Sequence, residues 1–333
     1  MQPNAKTGLL MVGHGSPSAR ANEAFIAIVA RVAGRLGVPV LPTFFSIARP
    51  SIEDQVARLA GEGVEHIVLM PYFLYTGQHV SKDIPVVLSQ CREKFPRVSI
   101  DVLPTLEGEA GLVEVVVERL LPYVPPAPLP AEGQAIERRS HEIIDAQLPA
   151  PAGRDAAERA VIRRVIHASA DFSFAGSMRI HPRAVQAGIE ALRNGKPIVC
   201  DVSMLQAGIT RTRCEVLCAV SDARTVELAR ERKTTRAAAA MDVLADRLDG
   251  AIVAVGNAPT ALWKVMAMAA SGGPRPALVV GLPVGFVGAR ESKLALIESG
   301  LCYITNTSPR GGSPVAAAAV NALALLEREG PHA

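Results

Sequence analysis

Short apolar runs alternate along this chain with longer segments whose apolar residues recur every three to four positions. The runs at 9–12, 38–44, 66–71 and 99–102 read as strands, and the segments at 22–36, 52–62, 82–94 and 109–121 as helices with one apolar stripe. Strands and helices in this alternation predict a parallel sheet, because each parallel pair needs a crossover and the crossover helix buries its stripe on the sheet. The pattern resumes with a helix at about 154–168, strands at 197–202 and 215–219, and helices at 222–231 and 235–247. Two further apolar runs, 251–255 and 277–281, each lead into a glycine-containing turn, and a last helix covers 315–326. The predicted fold class is α/β, as two three-layer α/β/α domains with mainly parallel sheets.

The two halves meet at Leu121-Pro122-Tyr123-Val124-Pro125-Pro126-Ala127-Pro128-Leu129-Pro130, a stretch that sustains neither helix nor central strand. A stiff linker is expected at 122–134, joining a domain at 1–121 to one at 135–333. Two domains also suit a chain of 333 residues, which exceeds one ordinary core. With 49% hydrophobic residues, mostly aliphatic, the composition excludes disorder. No apolar run approaches the roughly 20 residues that span a bilayer. Residues 1–7 run straight into a strand without a cleavage pattern, so no membrane partner and a cytoplasmic location are expected.

Charge and cysteines narrow the chemistry. The net charge of +3 falls in the second half, without a Lys/Arg run or interleaved aromatics. That argues against nucleic acid and leaves room for a small polyanion. Cys91, Cys200, Cys214, Cys218 and Cys302 are too scattered for a disulfide framework, and Cys214 with Cys218 lacks the second pair of a zinc site.

Gly256-Asn257-Ala258-Pro259-Thr260-Ala261-Leu262 follows the run 251–255 and reads as strand, tight turn and helix start. Asn257 is placed to cap the helix and Pro259 to sit in its first turn, so free backbone N–H groups are expected to face an anion. Gly281-Leu282-Pro283-Val284-Gly285-Phe286-Val287-Gly288 and Arg310-Gly311-Gly312-Ser313-Pro314 repeat the arrangement, and several such turns at one sheet edge make a ligand crevice. The glycine spacing is not that of a dinucleotide fingerprint, no P-loop occurs, and Ser16 and Ser313 lack the setting of a hydrolase nucleophile.

In the first half His14 follows the first strand in Gly13-His14-Gly15-Ser16, and His79 follows the third. A lone histidine is more often a cap or a loop contact. Two at one sheet edge favour a metal site, in which two imidazoles leave coordination positions open. Together with Pro71-Tyr72-Phe73-Leu74, Gly77 and Asp83-Ile84-Pro85, these residues make 8–120 resemble the small sirohydrochlorin cobaltochelatases. The resemblance implies that His14 and His79 bind Co²⁺ as chelatase substrate, beneath a flat tetrapyrrole whose pyrrole protons they can accept. In that group the site looks built from two such units, whereas this chain holds one.

The second half is similar to precorrin-8X methylmutase and its cobalt-precorrin-8 counterpart. The residues that carry the likeness are Arg164-Val165-Ile166-His167-Ala168, Cys200-Asp201-Val202-Ser203-Met204, Ala207-Gly208-Ile209-Thr210 and Lys233-Thr234-Thr235-Arg236-Ala237-Ala238. The three turns above, with Ser292-Lys293, complete the set. The family's reaction moves a methyl group from C11 to C12 of the macrocycle in cobalamin biosynthesis and needs no cofactor. His167 matches the catalytic histidine, expected to supply a proton to the conjugated ring, with Arg236, Thr210 and Ser140 also in the catalytic set. Asn257, Thr260, Gly285, Gly288, Arg310 and Ser203 are the expected substrate contacts, and Arg211, Arg213 and Lys264 are weaker candidates for its carboxylates.

Glu137 departs from the pattern, standing where the family tends to carry an aromatic; it is expected to point away from an anionic substrate, or the contact there is lost. The reading that follows is a methylmutase with an N-terminal cobaltochelatase, acting on tetrapyrrole and corrinoid substrates as a homodimer, with cobalt-precorrin-8 as substrate. The alternatives are a methylmutase whose first domain only binds metal or supports dimerisation, and a non-catalytic corrinoid carrier.

Overall fold

The computed structural model describes residues 6–124, 133–148 and 155–329. The chain divides into two compact units, Met1–Val124 and Pro125–Ala333. The first contains β1 (Thr7–Gly13), α1 (Ala19–Leu36), β2 (Leu41–Phe44), α2 (Ile52–Gly61), β3 (His66–Pro71), α3 (Ile84–Lys94), β4 (Ser99–Val102) and α4 (Ala110–Leu120). A single π-helical turn, His79–Asp83, precedes α3. Its four strands are parallel in the order β2-β1-β3-β4. Alternate side chains of β1 face opposite layers: Leu10 and Val12 pack with α2 and α3, Met11 with Phe25 and Val29 of α1.

The second unit contains α5 (Gly133–Gln147), α6 (Ala156–Ser169), α7 (Ser173–Ser177), β5 (Met178–Ile180), α8 (Ala184–Arg193), β6 (Ile198–Cys200), α9 (Ser203–Gly208) and β7 (Val216–Leu217). There follow α10 (Ala223–Glu231), α11 (Arg236–Val243), β8 (Ile252–Val255), α12 (Pro259–Ala270), β9 (Leu278–Gly281), α13 (Ala289–Glu298), β10 (Tyr303–Asn306) and α14 (Ser313–Glu329). The sheet runs β5-β10-β9-β8-β6-β7, parallel throughout except β5, which pairs antiparallel with β10. Buried on both faces, β8 and β9 are continuous apolar runs. Ile252 and Ala254 face a core with α6, α8 and α14, and Val253 and Val255 one with α11, α12 and α13.

The first sheet and the strands β6 to β9 of the second lie where the apolar runs predict, whereas β5 and β10 are not expected from them. The strand expected over 38–44 begins only at Leu41. The helix expected over 235–247 ends at Val243 and gives way to a 3-10 turn. Most of the expected linker, residues 125–132, lies outside the described residues; at its ends, Leu121–Tyr123 is a 3-10 turn and α5 already begins at Gly133. No helix among the described residues is long and apolar enough to cross a membrane.

Candidate functional sites

In an open parallel sheet the ligand crevice forms where chain order reverses, outside the carboxyl ends of two neighbouring strands. In the first unit that point lies between β1 and β3, since β2 was added on one side and β3 on the other. His14 follows β1 and His79 opens the π turn after β3, and their exposed rings meet with centroids 5.2 Å apart. His14 Nδ1 lies 3.0 Å from Gly15 O and His79 Nδ1 2.7 Å from Asp83 Oδ2. Both partners are acceptors, so each Nδ1 carries the proton and each Nε2 keeps its lone pair for a metal. The π turn sets His79 and Asp83 four apart on one side of a widened helix, a geometry often met at functional sites. Phe45 and Phe73 flank the pair with an apolar collar. No group of three or more potential metal-binding side chains occurs among the described residues, so this site offers two protein ligands and open positions.

In the second unit the reversal lies between β6 and β8. Asp201, wholly buried just past β6, fills it. Its carboxylate accepts hydrogen bonds from the backbone N–H groups of Gly256 (3.1 Å), Asn257 (2.8 Å) and Ala258 (2.7 Å). Burial pushes the Asp201 carboxyl up from its ordinary value, while these three donors pull it down. The anion that the Gly256–Ala258 turn was expected to await is therefore the protein's own. Nor does Asn257 cap the helix: Ala258 holds the cap position without a side-chain bond, and Pro259 takes the first turn as its fixed φ favours.

The remaining turns form the rim of the same carboxyl edge. Thr235 caps α11 through Ala238 N and lies 2.7 Å from Thr260 Oγ1, so Thr260 stands beside Arg236 at the starts of neighbouring helices. Arg236 is exposed and has no ion-pair partner among the described residues. Gly288 caps α13 at φ 76°, where a side chain would be strained. The Gly285 N–H donates to Pro309 O, joining this turn to the next loop. Beneath both, Lys293 is fully buried and donates to Pro283 O (3.1 Å) and Arg310 O (2.7 Å). Burial brings its amine down to about 7, and a neutral amine has two N–H bonds for these two carbonyls. Phe286 and Val287 project from the turn almost fully exposed, at 86% and 90%.

His167 is exposed on the last turn of α6. Just beyond Ala170, which ends the helix at a φ of 50°, the chain is fastened to the rim: Arg310 Nη1 donates to both oxygens of Asp171 (2.8 and 2.7 Å) and to Ser173 Oγ (2.6 Å). On the other side α5 packs along α6. Glu137 Oε1 accepts from Arg164 Nη1 at 2.7 Å, so the carboxylate is turned onto a cation. Desolvation of Glu137 is outweighed by Arg164, and its carboxyl lies below the ordinary range. Ser140 spends its hydroxyl on Ile136 O of its own helix. His141, one residue on, stacks edge to face with His167 at a centroid distance of 5.1 Å.

Not every expected contact gathers here. Thr210 receives its backbone support from Asn321 Oδ1, midway along α14. Ser203 Oγ lies 4.0 Å from Cys218 Sγ. Lys264 is paired with Asp242 at 2.7 Å. Arg211 and Arg213 line a groove of about 620 Å³ with Leu192, Gly195 and Glu215, residues that precede β6 and β7 and so lie at the opposite, amino edge. Sequence reasoning gave no role to Asp201, Lys293, Asp83 or His141. Asp83 carried a signal in its four-residue spacing from His79, as did His141 in its spacing from Glu137.

Two α/β units, each with polar side chains at the carboxyl edge of its sheet, define an α/β protein with a candidate site in each unit. Residues 135–326 match the family model for precorrin-8X methylmutase, and residues 8–122 the model for CbiX, a sirohydrochlorin chelatase-like family. The chain is 43% identical over 209 residues to a cobalt-precorrin-8 methylmutase of Priestia megaterium, which spans 61% of this chain and 92% of the relative. It is 44% identical over 204 residues to a precorrin-8X methylmutase of Pseudomonas aeruginosa, over 60% of this chain and 97% of the relative. Among solved structures, a precorrin-8X methylmutase from Thermus thermophilus superposes with a TM-score of 0.55 at 41% identity, covering 60% of this chain and 98% of the other. The chain belongs to the precorrin-8X methylmutase family, isomerases of cobalamin biosynthesis, and carries a CbiX-like unit ahead of that domain.

Proposed function

We propose that the second unit moves the methyl group of cobalt-precorrin-8 from C11 to C12, with His167 as general acid. The observation that carries this is an exposed imidazole at the end of α6, joined through Asp171 and Arg310 to the turn-lined rim. Protonating the conjugated ring at one position and recovering the proton from another leaves composition unchanged, as an isomerisation requires. Arg236 and Arg310 suit the peripheral carboxylates, Phe286 and Val287 the apolar face of the plate. Backbone N–H groups at Gly256–Ala258 take no part in substrate binding, because Asp201 holds them. Purified protein carrying His167→Ala should lose at least a hundredfold in turnover of cobalt-precorrin-8, followed by absorbance. Turnover at the wild-type rate would overturn the assignment.

For the first unit the reading is insertion of Co²⁺ into sirohydrochlorin, supported by the two Nε2 atoms left available when Gly15 O and Asp83 hold the Nδ1 protons. Insertion exchanges one divalent cation for two pyrrole protons, and the imidazoles that release the metal can accept them. The full chain should form cobalt-sirohydrochlorin faster than the uncatalysed mixture, and His14→Ala should abolish the difference; Co²⁺ binding with no insertion would instead support a metal-binding unit only. Dimerisation is part of this reading. Exposed Val113, Val116, Val117 and Leu120 on α4 offer an apolar face for a second copy, to be checked by mass in solution.

A further inference from the structure

The geometry points to His141 as a positioning residue for His167, one that fixes which nitrogen of the catalytic imidazole faces the substrate. This inference rests on the general-acid reading of His167. The two rings lie 5.1 Å apart by centroid with an interplanar angle of 76°, one from α5 and one from α6. His167 is exposed, whereas His141 is half-buried in the seam between the helices. His141 Nε2 is shut off from solvent and has no hydrogen-bond partner among the described residues. A buried imidazole nitrogen left unsatisfied is costly, and the neighbour free to reorient is the exposed ring beside it. In the proposed arrangement one N–H group of His167 donates to that nitrogen.

The surroundings of the seam favour a neutral His141, which has one ring nitrogen free to accept. Desolvation holds its imidazole below the ordinary range, and Arg163 and Arg164 of α6 add to that, as does His167 itself; Glu137 opposes them. Glu137 is bound by Arg164, and Arg163 by Asp145 at 3.1 Å. Beyond α6, Asp171 is held by Arg310, while the titratable groups of α14, Glu327 and Arg328, lie on its last turn beside Arg193 at the amino-edge groove. A neutral His141 can accept from His167 both before and after the latter gives up its acidic proton. The hydrogen-bonded nitrogen of His167 keeps its own proton and the opposite nitrogen serves the ring, so donation and recovery occur at one fixed atom.

The test compares His141→Phe, which keeps an aromatic ring without an acceptor, with His141→Gln, whose Oε1 can take the place of Nε2. Expected for His141→Phe are about a tenfold fall in kcat on cobalt-precorrin-8, a KM within about twofold and an unchanged melting temperature. His141→Gln should recover most of that loss. In the substrate-free protein, ¹⁵N spectra should show one His167 tautomer in the wild type and a mixture in His141→Phe. Wild-type kcat with one tautomer in His141→Phe would overturn the proposal, as would equal losses in both variants with lowered melting temperature, the mark of a packing role. The spectra judge the contact even if His167→Ala proves active, in which case the general-acid reading fails by itself.

Discussion

Asp201 Oδ2 lies 2.7 Å from the backbone nitrogen of Ala258, closing from inside the turn that the sequence offers as an open anion site. The buried carboxylate serves three donors, so the β6 and β8 ends are fixed relative to each other before any ligand arrives. This makes the turn a strut.

Removing the strut should be expensive. Asp201→Ala leaves three N–H groups without their acceptor, and at about 1–3 kcal/mol for each unsatisfied group the variant should lose at least ~3 kcal/mol in urea unfolding. Asp201→Asn, which keeps one acceptor oxygen, should lose less. Equal stability of wild type and Asp201→Ala would show that the turn finds other partners.

Lys293 gives the fold a pH dependence of known sign. Its amine titrates near 10.4 in an unfolded chain and at about 7 in the fold, so between these values the unfolded state binds more protons. Its contribution to stability is therefore full above about pH 10, falls as the pH drops toward 7 and levels below it. The unfolding free energy of the wild type minus that of Lys293→Met should rise from pH 7 to pH 10, by about 1 kcal/mol per pH unit in mid-range. A difference that does not vary with pH would contradict this.

In the proposed Co²⁺ site Asp83 would hold His79 as a ligand through its Nδ1 rather than bind the metal itself. Asp83→Asn should weaken Co²⁺ binding by about tenfold in calorimetry on the full chain, and His79→Ala should remove the binding. Unchanged affinity in Asp83→Asn would mean that the ring needs no outer support.

Gly256, just past β8, packs against the start of α14. A Cβ built there would lie 2.8 Å from Ser313 Cα, a backbone atom that cannot yield alone. Gly256→Ala should cost about 1–3 kcal/mol, whereas Gly34→Ala, on α1 with open space around it, should be neutral or slightly stabilising. Thermal unfolding of the two variants side by side decides the matter.

Periodicity carried most of the architecture, since β3 and β4 coincide with the apolar runs at 66–71 and 99–102 and the helices α2 and α3 end within a residue or two of expectation. The β5 strand escaped because three residues paired at an edge leave no alternation to read. Among the site residues, His14 and His79 were found as a pair because both follow strands. Asp201 was quoted in a motif without a role, since an acid after an apolar run looks the same whether it faces solvent or folds back onto a neighbouring turn. Nothing in the spacing of Arg211 and Arg213 told which edge of the sheet they would occupy; that depends on how soon the chain returns to start β7.

Arg310 uses a single terminal nitrogen for all its bonds to Asp171 and Ser173. A free surface arginine gives up roughly 2 kcal/mol of rotamer entropy when a ligand orders it. Here that loss is incurred on folding, so an Arg310 that takes a substrate carboxylate, as proposed, would meet it already stilled.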